Sequence, residues 1–95
     1  MFAAILTYTR PIEEIEARTA EHRGWLDQHV QSGLLLLAGP MVPRTGGVLI
    51  FSGQETKDAL TAILNEDPFA VHGLADYELI EFSPGKKIPL FDGLV

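Results

Sequence analysis

The sequence predicts an α+β fold, a four-stranded antiparallel sheet with two helices on one face. Three observations carry this expectation. Four short runs (FAAILTY, LLLLA, VLIF and ADYELIEF) are apolar or rich in β-formers, too short for helices, and bounded by turn residues. Two stretches with helical spacing separate the first run from the second and the third from the fourth. No internal linker, repeat or low-complexity tract interrupts the resulting order, β-α-β-β-α-β.

The first strand is Phe2 to Tyr8, ended by Thr9-Arg10-Pro11. Pro11 suits the first helical position, where a missing N–H costs nothing, and Glu13, Glu14 and Glu16 place negative charge at the positive helix end. The helix is expected from Pro11 to about Ser32, with Gly33 as the left-handed residue that closes it. Its inward stripe reads Ile12, Ile15, Thr19, His22, Leu26 and Val30, steps of three and four that define one helical face. The leucines of Leu34–Ala38 favour a helix by propensity, but Gly33 before them and Gly39-Pro40 after them leave room only for a strand. A Gly- and Pro-rich loop over 39–47 then joins it to Val48–Phe51 as an antiparallel hairpin. The second helix is expected over Glu55–Glu66, with Ala59, Leu60, Ile63 and Leu64 on its apolar stripe. Asp67-Pro68 breaks it, because a residue before proline is pushed out of helical geometry. A short helical turn over Phe69–Gly73 and a last strand over Ala75–Phe82 complete the core. Right-handed crossovers around an antiparallel hairpin make this the ferredoxin-like arrangement.

With 95 residues the chain is read as one domain, its core over about 2–82 and an extended tail over 83–95. A chain of this size buries roughly 60–65% of its unfolded surface, so association would help it. The uncovered sheet face, with its many apolar side chains, points to a homodimer or a higher homo-oligomer, packed through that face or through the apolar tail. A net charge of −6 argues against nucleic acid and anionic membranes as partners. No apolar run is long enough to span a membrane, and MFAAILTYTR lacks the basic start and cleavage site of a signal peptide. The absence of cysteine excludes disulfides and thiolate chemistry and fits a cytoplasmic chain.

His22 is the titratable member of an otherwise packable stripe. Alone it reads either as a core histidine or as a proton-transfer group, and the second reading needs a polar partner. The topology brings the region of Asp67 near the first helix, and a carboxylate on one imidazole nitrogen fixes the tautomer and raises basicity. Asp67 is equally explained as a helix stop. His22 and His29 lie about 10 Å apart along the helix, and no cluster has metal-ligand spacing; neither metal nor cofactor is expected. The sequence carries no nucleophile elbow, P-loop or dinucleotide fingerprint. Arg18, one turn before His22, is a candidate for holding a substrate carboxylate, or a solvated helix residue.

Three segments, EHRGWLDQHVQSGLLLLAGP (21–40), GGVLIF (46–51) and DPF (67–69), resemble the YciI-like (YCII-related) family. The most specific pieces are H-x-x-x-L in the first helix, G-x-L-L-x-A-G-P in the second strand and D-P-[FY] after the second helix. The resemblance implies a dimeric ferredoxin-like fold similar to the muconolactone isomerase type of α+β barrel. It also implies an active site on a His–Asp pair, here His22 and Asp67. One characterised member is a dehydrochlorinase acting on a chlorinated hydroxyquinone. Family members often carry an arginine three residues before the histidine, in an R-P-x-H setting. Here Arg18 is four before, and no proline intervenes.

The expected function is acid–base chemistry on a small cyclic substrate, an elimination or isomerisation that needs no nucleophile or metal. Gly39, Pro40, Met41 and Phe69 would wall the pocket. The alternatives are a non-catalytic dimeric small-molecule-binding domain and a purely structural His22–Asp67 pair.

Overall fold

All four apolar runs form strands and both helical stretches form helices in the computed structural model, which describes residues 1–95. The elements are β1 (Phe2–Tyr8), α1 (Ile12–Gln31), β2 (Leu35–Pro40), β3 (Gly46–Phe51), α2 (Lys57–Leu64), α3 (Pro68–Val71) and β4 (Ala75–Glu81). A 3-10 turn at Pro89–Phe91 follows in the tail. The sheet order is β2-β3-β1-β4, with every neighbouring pair antiparallel, which is the ferredoxin-like topology.

The central strand β1 sets the register. Its partners place Ala4 beside Leu49 and Leu79, and Leu6 beside Gly47 and Tyr77. Alternation then turns Phe2, Ala4 and Leu6 toward the helices, where all three are buried. Leu35, Leu49, Phe51, Leu60 and Leu64 join Phe2 and Ala4 in the larger core, while Ile15, Phe69 and Leu74 gather around Leu6 in a smaller one. A fully buried isoleucine such as Ile15 contributes about 1.5–3 kcal/mol.

The inward face of α1 differs from the expected stripe. Ile12 and Val30 are exposed, whereas Trp25 is buried in the larger core. Gly33 does close the helix, with φ 81°. Pro11 stands just before α1 rather than inside it, its carbonyl accepting from Glu14 and Ile15 at 3.0 and 3.3 Å. The hairpin loop is shorter than its Gly and Pro content suggests: Gly39 pairs with Val48 and Pro40 with Gly47, so only residues 41–45 turn the chain. The tail returns to the sheet end, where Gly53 N–H donates to the Leu94 carbonyl at 2.7 Å. No helix is long and apolar enough to cross a membrane.

Candidate active site

The Asp67-Pro68 step builds the site. Proline holds Asp67 in extended geometry (φ −58°, ψ 130°) just after α2 and starts α3 directly behind it. Asp67 thereby caps α3: its side chain accepts the Phe69 N–H at 3.1 Å, and its carbonyl accepts from Ala70 and Val71. The side chain is fully buried, where an unpaired carboxylate would be strongly disfavoured. Three donors meet it. Phe69 N–H and His22 Nδ1 converge on Oδ1, the latter at 2.7 Å, and the Tyr77 hydroxyl donates to Oδ2. Burial first, then the hydrogen bond to Asp67 and its charge, push the Tyr77 phenol far above its ordinary value of 10.0, so Tyr77 remains a donor.

An ionised carboxylate offers only acceptors, so the His22 nitrogen facing Asp67 carries a proton. Nε2 has no protein partner, and His22 lines a cavity of about 320 Å³. Its ring stacks on Phe69, with centroids 4.0 Å apart and planes 8° from parallel, and the His22 side chain is only 12% exposed. The imidazole is thus fixed on one edge by a carboxylate and on one face by an aromatic ring. Its free nitrogen is left for proton transfer.

The cavity lies between α1 and the β2–β3 hairpin. Thr19, His22, Arg23 and Leu26 line it from α1, Leu6 and Leu49 from the sheet, and Arg44 from the hairpin loop. Gly47, opposite Leu6 and Pro40 in the ladder, puts no side chain into this space.

Of the residues expected at the site, His22, Gly39, Pro40 and Phe69 line the cavity, and Asp67 stands behind His22. Arg18 does not: its guanidinium pairs with Glu21 at 3.0 Å along α1, outside the lining. Met41 is also outside it, with the Thr45 hydroxyl 3.8 Å from its sulfur. His29 packs edge-on against Trp25, and His72 lies 3.9 Å from Glu21. No group of three or more histidine or acidic side chains is placed to hold a metal ion.

Four residues at or behind the cavity that can donate hydrogen bonds, Tyr8, Arg23, Arg44 and Tyr77, escaped the sequence reading. Tyr77 offered one clue, since a tyrosine on the inward side of a strand needs a partner for its hydroxyl. Tyr8 and Arg44 offered none, because their meeting depends on how the hairpin loop folds back over β1.

The model of the YCII-related domain matches residues 1–83. The chain belongs to the YCII-related family. Among solved structures, this YCII-related chain resembles 5-chloro-2-hydroxyhydroquinone dehydrochlorinase (TftG) from Burkholderia phenoliruptrix AC1100, in complex with 2,5-dihydroxybenzoquinone. The TM-score is 0.71 at 20% identity, over 87% of this chain and 94% of TftG. At that identity the likeness establishes the shared fold. No curated protein matches the sequence.

Proposed function

We propose that this YCII-related protein is a small-molecule lyase or isomerase in which His22 moves a proton and Asp67 holds and polarises it. The observation that carries the reading is the His22–Asp67 contact at the wall of a cavity, with Nε2 unpartnered. The cavity volume, about 320 Å³, suits a molecule of one ring. The fold shared with a dehydrochlorinase favours elimination over isomerisation.

In an elimination, His22 Nε2 accepts a proton from a substrate carbon. The C–H electron pair becomes the new double bond as the leaving group departs with its own pair. The imidazolium then returns the proton to water. Asp67 stays ionised throughout and stabilises the transient cation, while its three donors keep it from swinging away. In an isomerisation the same nitrogen returns the proton to a different carbon. We assign the uncovered sheet face to pairing with a second copy of the chain, giving a homodimer.

The test is His22→Asn assayed on a panel of halogenated hydroxyquinones, lactones and muconates. Turnover is expected to fall by about 10² to 10⁴-fold, in a variant that still folds but melts several degrees lower, because buried Asp67 loses a donor and Phe69 its stacking partner. A folded variant that retains turnover removes His22 from the mechanism. Thermal stabilisation by a panel compound without any product assigns the domain to binding instead.

A further inference from the structure

The chain is acidic, with 13 carboxylate side chains against 7 lysines and arginines, yet the lining of its cavity contains no aspartate or glutamate. It contains two of the four arginines, Arg23 and Arg44. The other two, Arg10 and Arg18, are paired with Glu14 and Glu21, whereas neither Arg23 nor Arg44 has a carboxylate within 4.0 Å. The free guanidinium groups of the molecule are therefore both at the cavity.

Arg44 is also held in place by neutral partners. Its Nε donates to the Tyr8 hydroxyl at 3.2 Å and its Nη2 to the Thr19 hydroxyl at 3.2 Å. Thr19 spends its own proton on the Ile15 carbonyl at 2.8 Å, which leaves its oxygen free to accept. Of the five N–H donors on a guanidinium, these contacts use two, so three remain. The Tyr8 hydroxyl accepts from Arg44, so its own proton is still available. Tyr8 and Arg44 thus carry unspent donors at the cavity wall, with a full positive charge behind them.

We infer that Arg44 and Tyr8 form an anion-binding site, and that the ligand is a small ring compound bearing an anionic oxygen, a carboxylate or an acidic enolate. Arg44 and Tyr8 would grip that oxygen while the ring lies within reach of His22, and Arg23 adds positive potential. The inference deepens the reading of this cavity as a substrate site and concerns binding alone. It assigns to Arg44 the anion-holding role that the sequence suggested for Arg18.

The test measures binding by calorimetry for matched ring compounds that differ in charge. One arm compares 2-hydroxybenzoate with 2-hydroxybenzamide; the other compares 2,5-dihydroxybenzoquinone, ionised near neutral pH, with its dimethyl ether. In at least one arm the anion is expected to bind about tenfold or more tightly than its neutral partner, and the arm that responds identifies the oxygen. Arg44→Gln should abolish that preference, Tyr8→Phe should reduce it, and Arg18→Gln, outside the cavity, should leave it intact. Equal binding of anion and neutral compound by the unmodified protein, or a preference that survives Arg44→Gln, overturns the inference. Because the anion preference is read by binding alone, its absence from the unmodified protein leaves the proton-transfer proposal standing. Turnover retained in His22→Asn would sink the proton-transfer proposal alone.

Discussion

At the residue scale the site is organised around one buried carboxylate rather than around the histidine. Asp67 caps α3, orients His22 and accepts from Tyr77, so each donor limits the motion left by the others. Tyr77 gives this arrangement a pH signature. In the folded protein its phenol stays protonated well above its ordinary value of 10.0, whereas in the unfolded chain it ionises there. Above about pH 10 the unfolded state therefore binds fewer protons than the native state. Stability falls with rising pH, by up to about 1.4 kcal/mol per pH unit for this one group. Tyr77→Phe should be less stable at neutral pH by about 1–3 kcal/mol, having stripped a donor from a buried charge, and should lack that alkaline slope. Urea unfolding of both proteins from neutral pH to above pH 10 measures the difference, and parallel curves would rule out the protonated Tyr77 donor. His22 was legible in the sequence because it interrupts a periodic apolar face. Proline marked Asp67 only as a helix stop; its pairing with His22 was suggested by the topology and by the family resemblance. Tyr77, Tyr8 and Arg44 act through contacts between elements distant in sequence, and no local pattern encodes those.

At the element scale, period and punctuation decided the outcome. Gly33 ends α1 and the leucine run of high helix propensity becomes β2, but the strand runs on through Gly39-Pro40 instead of stopping before them. The same reasoning missed the packing of α1, which contacts β2 and α3 and buries Trp25 while leaving Val30 exposed. The β2–β3 hairpin shows what glycine supplies. A Cβ on Gly46 would lie 1.8 Å from the Leu6 carbonyl oxygen, and the neighbouring Tyr8 N–H donates to the Thr45 carbonyl at 3.0 Å. Gly46→Ala must push β3 away from β1 at the root of the loop that carries Arg44. It should cost about 1–3 kcal/mol or more, which corresponds to a drop in melting temperature of several degrees or more. Gly39→Ala is the control: a Cβ there meets nothing within 4 Å, so stability should stay within about 0.5 kcal/mol of the parent. Equal melting temperatures for the parent and Gly46→Ala would show that the strands separate without cost.

At the scale of the whole molecule, the sheet has one face under the helices and one without them. The uncovered face carries an unbroken apolar row across all four strands, Leu37 beside Ile50, Ile50 beside Ala3, and Ala3 beside Ile80. The next row holds Val48 and Ile5 between Gly39 and Glu78. Leu37 is 54% exposed and Ile80 41% exposed. A continuous apolar surface of this kind on a small domain is what an interface provides, and a second copy of the face supplies matching chemistry. A carboxylate at Leu37 costs a monomer little, since the side chain already meets water, but it would be buried without a partner in a face-to-face dimer. Leu37→Glu should therefore raise the dissociation constant by about 10²-fold or more, a few kcal/mol of uncompensated charge burial. Val42→Glu, at a loop position 98% exposed, should leave association unchanged. Sedimentation across a concentration series reads both variants against the parent. A parent that remains monomeric at micromolar concentration, or a Leu37→Glu variant that associates as the parent does, would remove the sheet face as the interface.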